Sequence, residues 1–324
     1  MKALLCTRYG TPDDLEIADI ADPQPAPGEA VVRIKAAALN FFDTLIIAGK
    51  YQTKPPMPFS PAAEFAGIVE SLGVGVNSLR VGDRVMAYAK YGAARERIAI
   101  AADKLIKIPD RLDFDRAAGL CVTYGTTLHA LKDRAKLAHG ETLAVLGASG
   151  GVGLAAIELG KIMGARVIAC ASSAEKIAFA RAHGANDGID YGTQDLKEAL
   201  RRVTDGRGAD VIYDPVGGAY AEAALRSIAW QGRFLVVGFA SGEIPKLPLN
   251  LVLLKGCDLL GVFWGSWIER NPQGHRANTE QLLAWCADGK LSSHVHAAYP
   301  LAEAPAALKA IATRQVMGKV ILRP

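Results

Sequence analysis

The sequence lacks paired cysteines. Its five cysteines stand singly, with no C-x-x-C pair and no spacing typical of metal ligands: Cys6, Cys121, Cys170, Cys257 and Cys286. Scattered cysteines argue against a disulfide framework and are typical of a reducing compartment. We therefore expect a cytoplasmic protein.

Long apolar runs and strong charge of one sign are also missing. The stretch MKALLCTRYGTPDDL turns polar too early for a signal peptide, and no run approaches the length of about 20 residues that a membrane helix needs. The formal net charge is +4, without a block of like charge or a basic tract with interleaved aromatics. The sequence therefore predicts neither a membrane nor a nucleic acid partner.

The overall composition of the chain is that of an ordinary globular protein. With 324 residues, of which 50% are hydrophobic and 22% charged, the chain is long enough for two domains with substantial cores. Up to about Leu120, short strand candidates alternate with turns, as in a partly closed β-barrel. After Gly140, strand and helix patterns alternate, as a doubly wound parallel sheet requires.

These candidates define the expected elements. The strands of the first region are Ala30–Lys35, Gly67–Leu72, Arg84–Tyr88 and Ala93–Ile100. The strands of the second region are Leu143–Leu146, Arg166–Ala171, Gly188–Asp190, Asp210–Tyr213, Arg233–Val237 and Asp258–Val262. Helix candidates between them are Glu175–His183, Asp195–Val203 and Tyr220–Ala229.

A glycine-rich turn follows the first strand of the second region, in LAVLGASGGVGLAAIELGKIM. The dinucleotide pattern G-x-G-x-x-G is present as Ala148, Gly150 and Gly153, with alanine in the first position. Such a turn lets the backbone approach a phosphate, and the start of the next helix favours an anion. The alternative is a tight turn needed only for packing. The complete strand-helix-strand unit around it favours a nucleotide site.

The end of the next strand distinguishes the two nicotinamide cofactors. An NAD site usually has Asp or Glu there, whereas this chain has Ser172, Ser173 and Lys176. Two hydroxyls and a cation suit a 2′-phosphate, so NADPH is expected. The alternative makes the serines a helix N-cap pair and Lys176 a solvated charge. Glu175 argues against the phosphate site unless it points away.

Two further stretches are candidates for a site. Gly238 and Phe239 follow a strand of the second region, at the edge where doubly wound sheets bind ligands, although they could belong to an ordinary loop. In ALNFFDTLIIAGKY, the polar residues Asn40 and Asp43 lie among aromatics, as in the wall of a cleft. A buried helix with capped ends is the alternative that we favour on this stretch alone.

Several motifs in order give the chain a resemblance to a known family. They are ALNFFDxLxxxGxY from Ala38, PFSPAAEFAGIVESLG from Pro58, VGDRV from Val81, ASGGVG from Ala148, YDPVGG from Tyr213 and GKVIL from Gly318. The chain resembles the medium-chain dehydrogenase/reductase superfamily, in its zinc-free, zeta-crystallin-like quinone oxidoreductase branch. The resemblance implies an α/β protein with a GroES-like, partly closed β-barrel catalytic domain, split into residues 1–121 and 267–324. A doubly wound Rossmann domain for NADPH would span residues 122–266, and relatives suggest a homodimer.

The resemblance to this superfamily also bears on whether the protein has ligands for zinc. The positions that hold the catalytic metal in zinc-dependent alcohol dehydrogenases match Asn40, Ala63 and Ala118, none of which is a soft zinc ligand. The four-cysteine structural lobe is also missing. The resemblance therefore implies no metal, and an acceptor that is already electron-poor. Ala62 and Ala63 stand where relatives commonly have glycine nearby.

By the same resemblance, functional residues are expected at five places. Those facing the pyrophosphate are Ser149, Gly150, Gly151 and Val152, and those around the 2′-phosphate are Ser172, Ser173, Lys176 and Tyr191. Those on the nicotinamide side are Gly238, Phe239, Gly261, Val262 and Phe263. Asn40 and Tyr51 are the expected catalytic residues, and Lys319 and Arg314 are expected to reach the cofactor from the C-terminal segment.

Three functions are open at this point. The first is hydride transfer from NADPH to a quinone or similar conjugated carbonyl, with Asn40 or Tyr51 hydrogen-bonding the oxygen and water supplying the proton. The second is reduction of a 2-alkenal or an enoyl thioester. The third is a low-turnover NADPH sensor that binds RNA, which the missing basic tract disfavours.

Overall fold

The computed structural model describes residues 1–324. The strands are β1 (Lys2–Leu5), β2 (Glu16–Asp19), β3 (Glu29–Leu39), β4 (Glu64–Leu72), β5 (Arg84–Tyr88), β6 (Arg97–Ala101), β7 (Ile106–Lys107), β8 (Thr142–Leu146), β9 (Arg166–Ala171), β10 (Asp187–Asp190), β11 (Ala209–Asp214), β12 (Ile228–Val236), β13 (Asp258–Gly261), β14 (Val295–Pro300) and β15 (Lys319–Arg323). The helices are α1 (Phe41–Ile47), α2 (Phe114–Ala118), α3 (Gly125–Leu128), α4 (Gly151–Ile162), α5 (Ala174–Ala182), α6 (Leu196–Val203), α7 (Ala219–Leu225), α8 (Leu249–Lys255), α9 (Trp264–Arg270), α10 (Pro272–Ala287) and α11 (Ala304–Ala312). None of these helices has both the length and the apolar composition needed to cross a bilayer.

The chain divides into two compact units. Unit 1 consists of Met1–Val122 and Thr279–Pro324, and unit 2 consists of Thr123–Asn278. The domain limits expected from the sequence, 1–121 with 267–324 and 122–266, stay a prediction.

Unit 1 is built on an antiparallel sheet whose central strand is β3. Its strand order is β14-β15-β3-β4-β5-β7, and β6 also pairs with β3. One side of β3 pairs with β4, while the other side pairs with β6 over Glu29–Arg33 and with β15 over Ala37–Leu39. No pairing joins β14 to β7, so the sheet is only partly closed, as expected for a GroES-like domain. Buried side chains of β3, β4 and β15 share one apolar core with Ile46 and Ile47 of α1.

Unit 2 is a parallel sheet with the order β10-β9-β8-β11-β12-β13. The chain starts at the centre with β8, moves out to β10, and then returns to β11 on the other side of β8. The order therefore reverses between β8 and β11, which is where doubly wound sheets bind ligands at the carboxyl ends of their strands. The sequence prediction of a doubly wound Rossmann sheet is confirmed.

Element ends differ in several places. The predicted helix Tyr220–Ala229 is too long: α7 ends at Leu225, and Ile228 begins β12 because it pairs with Ala209 of β11. The predicted strand Ala93–Ile100 begins too early, because Ala93 and Ala94 bond to the backbone of Pro61 and Ala62 before β6 starts. In both places a pairing with a distant segment decides the boundary.

Candidate functional site

The glycine turn joins β8 to α4, and its backbone comes very close to itself. Gly147 has a left-handed φ of 59°. A Cβ on Gly153 would overlap the carbonyl oxygen of Gly147. Only glycine at position 153 lets the first turn of α4 lie against the end of β8, as in the dinucleotide fingerprint.

The first turn of α4 is open to an anion. Gly150 is the N-cap and has no side chain that could satisfy the amides of the turn. Ser149 is buried beside it, while Gly150, Gly151 and Val152 are half-buried. A 12-residue helix with uncapped amides at its positive end has the chemistry of a pyrophosphate cradle.

Beneath this turn lies a buried polar cluster that sequence reasoning missed. The hydroxyl of Tyr124 donates to Glu158 Oε2 at 2.7 Å, and the hydroxyls of Thr127 and Tyr213 lie 2.8 Å apart. Thr127 Oγ1 also lies 3.4 Å from the carbonyl of Val152 in the first turn of α4. The single signal in the sequence was a glutamate on the apolar face of α4. The cluster supports the glycine turn from inside the unit.

The expected 2′-phosphate residues follow β9 and β10. Ser173 is the N-cap of α5 and accepts from the backbone N–H of Lys176 at 3.3 Å, as the helix-cap alternative predicted. Ser172 is exposed, with its hydroxyl 3.4 Å from the ammonium of Lys176. Tyr191 follows β10, and its ring lies 4.3 Å from the ring of Tyr220. A hydroxyl and an ammonium therefore share the end of β9, while Glu175 is exposed in the first turn of α5.

The expected nicotinamide residues follow the last two strands of the same edge. Phe239 packs against Gly217, where a Cβ would lie 2.9 Å from the Phe239 ring. The Gly217 turn is held by Asp214, whose Oδ1 accepts from two backbone amides and whose pKa is raised by burial. Past β13, Val262 is buried and Phe263 is exposed. Gly261 has open space where a Cβ would stand.

In unit 1, Asn40, Glu64 and Lys319 meet where β3 ends. Val320 of β15 pairs with Leu39, so the preceding Lys319 lies beside Asn40. Lys319 Nζ donates to Asn40 Oδ1 at 2.7 Å, to Glu64 Oε1 at 2.8 Å and to the Leu39 carbonyl at 3.1 Å. Asn40 Nδ2 donates to Glu64 Oε1 at 2.9 Å, and the N–H of Val122 donates to Glu64 Oε2 at 2.7 Å. Three buried polar side chains thus form one hydrogen-bonded group.

A second buried carboxylate lies next to this group. Asp43 is completely buried and accepts from the N–H of Asn40 at 2.7 Å, while its Oδ1 has no hydrogen-bond partner. Burial raises the pKa of Asp43 to about 7, against the effect of the Asn40 hydrogen bond. Burial and then the charge of Asp43 also raise the pKa of Tyr51, whose ring stacks on Phe42 with centroids 5.4 Å apart.

The structure thus brings the predicted residues together in two sets. Asn40 and Lys319 join Glu64 in unit 1, and the residues expected around the dinucleotide lie along the carboxyl edge of the unit 2 sheet. Lys319 directs its ammonium into unit 1, and Arg314 is exposed just after α11. The expected contacts of both residues with the cofactor stay predictions.

Comparison with known proteins agrees with this geometry. Residues 26–110 match the family model of the alcohol dehydrogenase GroES-like domain, and residues 151–287 match that of the zinc-binding dehydrogenase. A quinone oxidoreductase-like protein 2 homolog of Nematostella vectensis is 37% identical, over 99% of this chain and 88% of the relative. A quinone oxidoreductase of Pseudomonas aeruginosa is 35% identical, over 100% of this chain and 99% of the relative.

A solved structure shows the same likeness in three dimensions. The Escherichia coli quinone oxidoreductase complexed with NADPH superposes with a TM-score of 0.92 at 29% identity, covering 100% of both chains. Together with the two units and their sheet orders, these matches establish the family and an oxidoreductase activity. The chain belongs to the quinone oxidoreductase branch of the medium-chain dehydrogenase/reductase superfamily.

Proposed function

We propose that this protein transfers hydride from NADPH to a quinone or a similar conjugated carbonyl, without zinc. The observation that carries the proposal is the uncapped first turn of α4, packed against Gly147 so closely that only glycine fits at position 153. The names of the two relatives and of the solved structure support a quinone as the hydride acceptor and NADPH as the hydride donor.

The preference for NADPH rests on the residues that follow β9. Ser172 and Lys176 offer a hydroxyl and an ammonium 3.4 Å apart, and the residue that directly follows the strand is a serine and not an acid. An acidic residue there would repel a 2′-phosphate, whereas an ammonium forms a charge-assisted hydrogen bond with it. Tyr191, at the end of the neighbouring strand β10, would complete the group.

The candidate residues take separate roles. When bound, NADPH supplies the hydride. The amides of Gly151 and Val152 would bind its pyrophosphate, and Phe239 and Phe263 would pack beside its nicotinamide. Asn40 or Tyr51 would hydrogen-bond the acceptor oxygen on which negative charge develops. The proton would come from water.

Titration of the purified protein with NADPH and NADH, followed by protein fluorescence, tests the proposal. We expect tighter binding of NADPH, and Lys176→Glu should weaken NADPH by at least about tenfold while leaving NADH unchanged. Lys161→Glu, an exposed lysine on α4, is the control and should change neither cofactor. Equal weakening of both cofactors by Lys176→Glu would place the phosphate elsewhere.

A comparison of acceptors tests the substrate class. Steady-state rates with 1,4-benzoquinone should exceed those with crotonyl-CoA and 2-hexenal. Faster turnover of the last two would make the protein an enoyl thioester or 2-alkenal reductase. Binding of NADPH without oxidation by any acceptor, together with salt-sensitive retention of RNA, would indicate a sensor.

We also propose a cytoplasmic homodimer. All five cysteines are free and buried, which supports a reducing compartment. Strand β13 pairs only with β12, and helix α8, which precedes β13 in the chain, exposes Leu249, Leu253 and Leu254, which are 72%, 79% and 68% exposed. A strand edge without a partner and an exposed apolar helix face are each typical of an interface.

Light scattering after size exclusion tests the dimer. The double variant Leu253→Lys/Leu254→Lys should be monomeric. Val74→Lys alters an equally exposed apolar residue of unit 1 and should leave the dimer intact. A monomeric wild-type protein would contradict the proposal.

A further inference from the structure

The hydrogen-bond partners of the Asn40 side-chain amide determine its orientation. The ammonium of Lys319 can only donate, and it contacts Asn40 Oδ1 at 2.7 Å. The carboxylate of Glu64 accepts, and it receives Asn40 Nδ2–H at 2.9 Å. A flipped amide would place N–H against the ammonium and oxygen against the carboxylate. Lys319 and Glu64 therefore lock the amide in one orientation.

One donor of this group is left over. Lys319 uses three hydrogens, on Asn40, Glu64 and the Leu39 carbonyl. Glu64 uses both oxygens, because its Oε2 receives the N–H of Val122. Asn40 Nδ2 carries two hydrogens, and the structure gives only one of them a partner. The second hydrogen is the unused donor of an otherwise satisfied buried cluster.

The cluster also strengthens that donor. An ammonium on the carbonyl oxygen of an amide draws electron density from its nitrogen, so the remaining N–H becomes a better donor. The effect is largest where water is excluded, and Lys319 and Glu64 are both buried. Such a rigid and polarised N–H suits an oxygen that gains charge during a reaction.

We propose that Lys319 and Glu64 are positioning residues that hold Asn40 so that its second Nδ2–H donates to the carbonyl oxygen of the acceptor. The inference rests on the proposed function. Hydride brings two electrons to the acceptor, whose carbonyl oxygen then takes the negative charge. Asn40 stabilises that oxygen through a hydrogen bond and keeps its own proton, while water protonates the product. Lys319 then acts through Asn40 and does not contact the cofactor.

Kinetics of matched variants test the proposal. Asn40→Ala should lower kcat by about a hundredfold, as the loss of one such donor does elsewhere. Lys319→Met should lower kcat by a similar factor and leave the Kd of NADPH unchanged. In the double variant Asn40→Ala/Lys319→Met the two losses should not add, because both act through one hydrogen bond. Lys319→Arg should restore part of the rate.

Two further variants guard against misfolding. Removing one charge of a buried pair leaves the other uncompensated, so Lys319→Met should lose stability. The double variant Glu64→Gln/Lys319→Met removes both charges at nearly constant volume. It should show the same loss of kcat with an unchanged Kd for NADPH. Lys309→Met, an exposed lysine of α11, should behave as wild type. Additive losses would overturn the proposal, as would a raised Kd for NADPH with an unchanged kcat.

A spectroscopic measurement separates this inference from the proposed function. In protein labelled with ¹⁵N at asparagine, one Nδ2 hydrogen of Asn40 should exchange slowly with solvent and the other rapidly. The difference should disappear in Glu64→Gln/Lys319→Met. A wild-type protein that reduces no quinone refutes the proposed function, whereas equal exchange of the two hydrogens refutes the positioning of Asn40.

Discussion

Gly153 lies directly against the carbonyl oxygen of Gly147, with no room for a Cβ between them. The contact brings the first turn of α4, which has no side-chain cap, to the carboxyl end of β8. One backbone contact therefore determines where an anion can bind.

Gly153→Ala should separate these two segments. We expect a loss of stability of about 1–3 kcal/mol from overpacking, and NADPH binding at least about tenfold weaker because the amides move. Gly150→Ala is the matched comparison. Its Cβ would lie 3.5 Å from the same oxygen, an ordinary contact, so its unfolding midpoint in urea should stay near that of wild type. Equal midpoints for the two variants would show that the contact imposes no constraint.

The buried hydrogen bond between Tyr124 and Glu158 stabilises unit 2 beneath the glycine turn. Tyr124→Phe keeps the ring and removes the donor, so we expect a loss of about 1.5–3 kcal/mol, typical of a hydrogen bond to a charged group. Urea denaturation of the variant and the wild type measures this loss in the free energy of unfolding. Tyr220→Phe is the control, because it keeps the ring contact with Tyr191 and no hydrogen bond of its hydroxyl is found. An unchanged midpoint for Tyr124→Phe would mean that the bond contributes nothing.

Local patterns predicted most of unit 2. Its six strands were found within a few residues, because each combines a short apolar run with flanking turns. The helix after β11 was predicted too long because Ile228 is apolar in either structure, and its pairing with Ala209 is a contact with another strand. The ends of β6 and β12 depend on such distant partners, which no local window contains.

The site was predictable where a motif carries it and not where long-range packing does. The glycine turn and the residues after β9 follow from spacing alone. The cluster of Asn40, Glu64 and Lys319 joins residues far apart in the chain. Lys319 lies beside Asn40 because Val320 of β15 pairs with Leu39 of β3, and no local pattern predicts that pairing. Ala62 has a left-handed φ of 63°, a conformation that favours glycine, although the sequence shows only an alanine.

The stability of the protein should depend on pH through Asp43. Its pKa is raised from 3.8 in the unfolded chain to about 7 in the fold, mainly by burial, with the charge of Glu64 in the same direction and that of Lys319 against it. Between these two pH values the folded state binds one proton more than the unfolded chain. The stability that this proton contributes is therefore complete below pH 3.8 and is lost as the pH rises through 7. Apparent unfolding midpoints in urea at pH 5, 6, 7 and 8 measure it.

Asp43→Asn should remove this dependence. The asparagine oxygen can still accept from the N–H of Asn40, so the variant loses the titration and keeps the hydrogen bond. We expect its midpoint to fall less than that of wild type between about pH 5 and 8, whatever constant offset the new amide introduces. Asp205→Asn, an exposed aspartate in the turn after α6, should follow the wild-type curve. If Asp43→Asn follows it too, Asp43 is already ionised at pH 5, and the buried group at the end of β3 holds two carboxylate charges against the single ammonium of Lys319.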